Sequence, residues 1–248
     1  MNNSNFITNF VDAFKFIGRN GELPHEPHFP TLLYYAVGTM KVTLIAMVIS
    51  TAIALPLGLW LGHVHRGSFI AINIGNVGRA LPSLAVLAIG VAFLGIGLKP
   101  VLLALVVLAV PPIVTNAYVG VNEVDPDLVD AARGMGMTGW QVLRRVELPL
   151  SVPLVMAGIR TSSLFVISTT TIAALTGYSH SLGEIIADEA SYHLSGVLGA
   201  AICIAAMAML SEFLLALLQR AMTPVALRRG GAGEIEDEFI LGLAVETV

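Results

Sequence analysis

The chain has 248 residues, of which 56% are hydrophobic and 12% are charged, whereas roughly a quarter of the residues in a soluble domain carry a charge. This composition excludes an ordinary soluble globular protein and indicates a polytopic, all-α membrane protein surrounded by the lipid bilayer. The net charge of −4 is too small to indicate a charged partner, and no nucleic-acid partner is expected. The single cysteine, Cys203, excludes a disulfide framework, and we expect no metal site.

Residues 1–30 differ from the rest of the chain. Phe6, Phe10, Phe14 and Ile17 recur at helical spacing, which predicts an amphipathic helix resting on the outer membrane surface. A linker with several prolines follows at 22–30. The first ten residues lack the basic start and the compact apolar core of a signal peptide, so we expect the first span to be an uncleaved anchor.

Five apolar stretches are long enough to cross a bilayer, which takes about 20 residues. They cover residues 34–61, 69–98, 101–118, 149–175 and 194–222. The second stretch holds Arg79 and Pro82 near its middle, where proline removes a backbone donor and clashes with the preceding turn. We expect a kink there, or a split that raises the number of crossings from five to six. Gly58 and Gly62, in the first stretch, have the spacing of a close helix contact, within the subunit or between subunits.

The distribution of basic residues predicts an orientation, because loops rich in Lys and Arg stay in the cytoplasm. With five spans, one side of the membrane holds Arg66, Arg133, Arg144, Arg145, Arg220, Arg228 and Arg229. The other side holds Lys15, Arg19 and Lys99, together with the acidic residues Glu184, Asp188 and Glu189. We therefore expect the N-terminus outside, and both the C-terminus and the loop at 125–149 in the cytoplasm. A sixth crossing would change only the side of the N-terminus.

The loop at 125–149 is a polar island between the third and fourth stretches. Asp125 and Pro126 predict a helix start, because Asp caps free N–H groups and Pro at the first helical position has no N–H to satisfy. Residues at intervals of three and four predict one small apolar stripe on this helix, formed by Leu128, Ala131, Ala132 and Met135. Gly134 and Gly136 are expected to end it.

A second helix is predicted to start at once, since Thr138 and Gln141 have capping-box spacing, and to run into Leu148 and Pro149. The expected structure is two short helices joined by a glycine hinge at the membrane surface. A short helix with a small-residue face suits insertion into a groove on another protein. The alternative is a connector whose helices pack on their own bundle.

The spacing within the island resembles the EAA loop of bacterial ABC importer permeases, which docks on the ATPase subunit. The residues that carry this resemblance are Asp130, Ala131, Ala132, Gly136, Val146, Leu148 and Pro149. Asp130 stands where the family usually has Glu, and Val146 where it usually has Ile. The resemblance implies that these seven residues couple the chain to an ATPase.

A wider similarity covers roughly residues 31–224 and points to the osmoprotectant branch of these permeases, which imports glycine betaine, carnitine, choline and related quaternary amines. It rests on five segments: 82–85, 95–97, 111–118, 124–126 and 157–161. The chain departs from that branch at 179–183, where a Gly-rich turn is usual, and at Gln219, where an acid is usual.

The resemblance implies a type I ABC importer permease fold, with five core transmembrane helices or six, and cytoplasmic coupling helices. It also implies three partners: an ABC ATPase subunit, an extracytoplasmic substrate-binding protein, and a second permease copy or a paralogue. None of Lys15, Lys41 and Lys99 follows a glycine, so the chain lacks a P-loop. We expect a transport subunit rather than an enzyme, with no directly bound cofactor and with ATP hydrolysed by the partner. The alternatives are a permease for another small amine or amino acid and a stand-alone secondary transporter.

Ionisable and aromatic residues inside the spans are candidates for the solute pathway. We select Arg79, Pro82, Tyr118, Phe165 and Glu212. Arg160 is expected to pair with Asp130 or Glu147 of the island. After residue 224, the glycine-rich and acidic stretch 225–248 predicts a flexible cytoplasmic tail.

Overall fold

The computed structural model describes residues 3–21, 31–65 and 68–223, and within these ranges the chain is helical without strands. The linker at 22–30 and the acidic tail at 225–248 lie outside the described residues. The helices are α1 (Asn3–Gly18), α2 (Leu32–His63), α3 (Ser68–Ala80), α4 (Ser83–Leu94), α5 (Leu98–Asn122), α6 (Pro126–Gly134), α7 (Gly139–Val142), α8 (Leu148–Ile172), α9 (Gly183–Ala187) and α10 (Glu189–Met222).

Helix α5 is the centre of the bundle and contacts α2, α3, α4 and α8. Its contact with α2 is close because Gly58 and Gly62 face it: a Cβ on Gly58 would lie 2.6 Å from the Ala117 Cβ, and one on Gly62 would lie 2.7 Å from the Val121 Cβ. Small residues at a helix interface let the backbones approach and gain dispersion energy. The glycine pair therefore makes a contact within the subunit, which answers the question its spacing left open.

The second apolar stretch is broken at the predicted place. Helices α3 and α4 meet at Leu81 and Pro82 with a bend of 90°. Pro82 is the N-cap residue of α4, and its extended backbone (φ −69°, ψ 121°) ends the helical path of α3. Each half has 13 or 12 residues, which is short of the roughly 20 that a crossing takes. Among the described residues, four helices are long and apolar enough to cross a membrane, or five if the bent pair is one span. This agrees with five core spans.

Helices α1 and α10 pack together at the end of the bundle away from the polar island. The predicted N-terminal helix is present, but Ala13 and Phe16 are its buried residues, whereas Phe10 and Phe14 are exposed. Asp188 caps the start of α10, because its carboxylate accepts the Ser191 N–H at 3.3 Å, and the helix is kinked at His193 (φ 56°). The lipid-surface role of α1 stays a prediction.

Candidate functional site

Residues 125–149, hereafter the coupling segment, begin with the capped helix that the sequence predicts. The Asp125 carboxylate accepts the Asp127 N–H at 2.9 Å, and Pro126 takes the first helical position of α6. Both interactions satisfy or avoid a free N–H at the helix start. The predicted start of α6 is confirmed.

The stripe on α6 differs from the prediction in one residue. Leu128 (48% exposed), Ala131 and Met135 (72% exposed) project outward, but Ala132 is buried beside Val129 against Val142. An α-helix turns by about 100° per residue, which places Ala132 between Leu128 and Val129 around the axis. The helix therefore has a buried edge that holds it on the bundle and an apolar outer face without a partner in the described chain.

Gly136 ends α6 in a left-handed conformation (φ +81°). Its N–H donates to the Arg133 carbonyl at 2.9 Å, and the Met137 N–H donates to the Ala132 carbonyl at 3.2 Å. These two bonds form a Schellman motif, in which the left-handed position favours glycine because other residues carry a steric cost there. Gly134 is the last residue of the helix and needs no such freedom.

The second half of the coupling segment is not a separate surface helix. The Thr138 N–H donates to Gln141 Oε1 at 2.8 Å, which confirms the predicted start, but α7 then continues through a π-helical turn, Leu143–Glu147, into α8. Pro149 follows this turn, and its ring would clash with the Arg145 carbonyl in a regular α-helix. The wider turn relieves that clash. The coupling segment is thus one short helix, a glycine turn, and an extension of the fourth span.

The seven motif residues occupy both the outer face and the root of the segment. Asp130, Ala131 and Gly136 are exposed, and Asp130 lies 3.8 Å from Arg133 across one helical turn. Ala132 is buried, while Val146, Leu148 and Pro149 are half-buried where the segment joins α8. The exposed residues are available to a partner, and the others hold the segment on the bundle.

The partner of Glu147 is a site residue that the sequence reasoning missed. The Glu147 side chain is 0% exposed, and its Oε2 accepts a hydrogen bond from the Nδ1 of His63, the last residue of α2, at 2.7 Å. The other oxygen, Oε1, has no hydrogen-bond partner in the described chain. A buried carboxylate depends strongly on its partner, so this pair links the coupling segment to the first span. The signal in the sequence was an acid among apolar residues at the start of a span.

Arg160 pairs with neither Asp130 nor Glu147, and that expectation was wrong. Its guanidinium donates to Glu212 Oε1, with Nε at 2.8 Å, and its Nη1 donates to Gln219 Oε1 at 2.8 Å. Both acceptors are on α10, which packs on α8 along this length. The pathway candidate Glu212 is therefore part of an interhelical polar cluster.

A groove of about 170 Å³ lies at the break between α3 and α4, hereafter the break groove. Its lining residues are Gly78, Leu81, Ser83, Leu108, Pro112, Phe165, Ser168, Thr169 and Ile172. Of the five pathway candidates, Phe165 lines the groove and Pro82 lies between two lining residues. Tyr118 is buried in the core beside α2, and Glu212 is on α10, so the structure does not bring them there. The Arg79 side chain lies outside the described residues.

Comparison with known proteins identifies the family. Residues 54–224 match the family described as binding-protein-dependent transport system inner membrane component. The chain is 36% identical to the glycine betaine/carnitine/choline transport system permease protein OpuCB of Bacillus subtilis, over 79% of this chain and 91% of that protein. It is 37% identical to the carnitine transport permease protein OpuCB of Listeria monocytogenes, over 77% and 88%.

Two further comparisons agree. The choline transport system permease protein OpuBB of Bacillus subtilis is 36% identical over 80% of this chain and 91% of that protein. The fold matches a chain of the inward-facing MetNI methionine ABC transporter, with a TM-score of 0.68 at 23% identity, over 78% of this chain and 96% of that one. The likeness to that structure concerns the fold alone. The chain belongs to the binding-protein-dependent transport system inner membrane components, the permeases of ABC importers.

Proposed function

We propose that the chain is the permease subunit of an ABC importer for quaternary-amine osmoprotectants such as glycine betaine, carnitine and choline. The observation that carries the proposal is the identity of 36% or more to permeases named for these solutes, over about nine-tenths of their length. Its partners would be a separate ATPase subunit, an extracytoplasmic binding protein, and a second permease copy or a paralogue.

The coupling segment supplies a physical route for ATP-driven motion. The outward face of α6, formed by Leu128, Ala131 and Met135, is apolar and exposed, as expected of a helix that inserts into a partner's groove. Its buried edge, Val129 and Ala132, fixes α6 to the bundle. Docking on this face would place the ATPase in direct contact with the loop between the third and fourth spans.

Motion of α6 would reach the membrane by two continuous elements. The chain before Asp125 is the end of α5, and the chain after Gly136 leads through α7 and the π-helical turn into α8. Because α5 and α8 pack against each other and against α2, tilting the coupling segment would change the packing of three spans together. Alternating access requires such a joint movement of several spans. In the proposed orientation the N-terminus is outside and the coupling segment is in the cytoplasm, where ATP is available.

The proposal is tested by ATP-dependent uptake in proteoliposomes that contain the permease, its ATPase and its binding protein. We expect labelled glycine betaine to accumulate with ATP, and methionine, which has no quaternary amine, not to accumulate. The control is the permease alone, for which we expect no flux. ATP-dependent uptake of methionine but not of glycine betaine would overturn the solute class. Flux through the permease without its partners would favour a self-sufficient transporter.

The docking face has its own test. Met135→Glu places a charge on the outward apolar face and should prevent co-purification of the ATPase, because the buried contact would then hold an unpaired carboxylate. The matched control is Trp140→Glu, a change of an exposed apolar residue outside the α6 face. Equal retention of the ATPase by both variants would show that α6 is not the docking helix.

A further inference from the structure

The break groove holds the amino end of α4, where backbone N–H groups lack partners. Ser83 lines the groove and is the first residue of α4. The first intrahelical bonds are donated by the N–H groups of Ala85 and Val86, whereas those of Ser83 and Leu84 donate none within the described chain, and Pro82 provides no side-chain cap. Free N–H groups and the helix dipole together favour a negatively charged group at this end.

A second, independent observation is the hydroxyl of Thr169, on the α8 side of the same groove. Threonines inside helices usually donate to the carbonyl four residues earlier. Thr170 does so to Val166 at 2.7 Å, and Thr171 to Ile167 at 3.2 Å. Thr169 makes no hydrogen bond to the described part of the chain, although it is only 3% exposed. Thr169 is a nearly buried residue that lines the groove, and its hydroxyl is not committed to a hydrogen bond within the described chain.

An aromatic side chain in the groove suits a quaternary ammonium group. Phe165, one helical turn before Thr169, lines the groove and is 49% exposed. The faces of aromatic rings attract quaternary ammonium groups. The described lining residues include no charged side chain. The described lining thus offers neutral donors for an anion and an aromatic face for a cation.

We propose that the break groove binds a solute that carries both a carboxylate and a quaternary ammonium group. The carboxylate would accept hydrogen bonds from the amino end of α4 and from the Thr169 hydroxyl, and the ammonium group would lie against Phe165. The inference rests on the proposed uptake of osmoprotectants and goes further, since it assigns a selectivity to the permease itself. Glycine betaine and carnitine fit this description in full, whereas choline, the third proposed solute, lacks the carboxylate and would be held only by its ammonium group and bind more weakly.

The test is equilibrium binding of labelled glycine betaine to the purified complex of permease and ATPase, without the binding protein. Unlabelled carnitine should displace it, while the same concentration of choline or acetate, which each carry only one of the two groups, should displace far less. Thr169→Val, which keeps the side-chain volume, and Phe165→Leu should each weaken binding by about tenfold. Thr169→Ser keeps the hydroxyl and should bind like the unaltered protein.

The matched control is Thr170→Val, which removes the neighbouring hydroxyl that is already bonded within α8 and should leave the affinity unchanged. The inference is overturned if Thr169→Val binds as tightly as Thr170→Val, if choline displaces as well as carnitine, or if no binding occurs without the binding protein. These results are distinct from failure of the proposed function. In that case the full transporter, with its binding protein, would take up none of the osmoprotectants.

Discussion

The coupling segment and the break groove both interrupt the regular spanning helices, and they differ in how many of their polar groups are paired. In the coupling segment, Asp125, Thr138 and one carboxyl oxygen of Glu147 each hold a specific partner. In the break groove, the Thr169 hydroxyl and the first N–H groups of α4 have none within the described chain. Paired polar groups fix a geometry, whereas unpaired ones remain available to a ligand. The difference suits one region to transmitting force and the other to holding solute.

The largest expected effect comes from leaving the Glu147 carboxylate buried and unpaired. His63→Leu should lower the free energy of unfolding by about 3 kcal/mol, because loss of one partner strands the buried charge. Glu147→Gln should cost less, since the amide oxygen still accepts from the His63 ring. Thermal unfolding of the detergent-purified permease measures both.

The double variant His63→Leu with Glu147→Leu separates charge from packing. An apolar pair of similar volume is often as stable as a buried ion pair, so the double variant should recover most of the stability that His63→Leu loses. If His63→Leu were as stable as the unaltered chain, the coupling segment would not depend on its polar pairs and the contrast with the groove would disappear.

The next effect concerns the glycine turn. Gly136→Val should abolish ATP-coupled uptake while leaving membrane insertion intact, because a β-branched residue at φ +81° costs about 1–2 kcal/mol and disfavours the Schellman turn. Nothing lies within 4 Å of a Cβ at either Gly136 or Gly134, so backbone strain, and not a clash, distinguishes them. Gly134→Val, in the helical conformation, should retain most of the uptake. Normal uptake by Gly136→Val would count heavily against the proposed coupling mechanism.

Those features of the coupling segment that depend on neighbours in sequence could be predicted. Asp125 caps a residue two positions on, Thr138 and Gln141 are three apart, and Gly136 closes a turn on residues within five positions. Pro82 likewise marks a break by its own chemistry. Hydropathy was sufficient for the four long spans, or five with the bent pair, because the bilayer sets their length.

Features that depend on distant partners could not be predicted. His63 and Glu147 are 84 positions apart, and Arg160 and Glu212 are 52 apart, so their pairing depends on how the spans pack. Arg160 was assigned to the wrong acids for this reason. Thr169 is the same residue type as its bonded neighbours Thr170 and Thr171. Only the structure shows that the Thr169 hydroxyl makes no hydrogen bond within the described chain.

A smaller effect is expected at the start of α6. Asp125→Ala removes the cap on the Asp127 N–H and should lower the free energy of unfolding by about 1 kcal/mol. Asp127→Ala, two positions on in the same turn, keeps the cap and should cost only a few tenths of a kcal/mol through the helix dipole. Thermal unfolding of the two variants side by side gives the difference, and equal losses would mean that the cap does not hold the segment.

The smallest effect on stability is expected in the break groove, and its sign is informative. Thr169→Val removes a groove-lining hydroxyl that has no hydrogen bond within the described chain, so no hydrogen bond inside the protein is lost. Replacing a hydroxyl that makes no hydrogen bond within the protein by a methyl group of the same shape is close to neutral. The free energy of unfolding should therefore stay the same or rise slightly, in contrast to the loss at Asp125.

A fall of 1 kcal/mol or more, as for an ordinary bonded threonine, would show that Thr169 is structural. Stability retained together with weakened binding of glycine betaine is the combination that only a solute-binding hydroxyl produces.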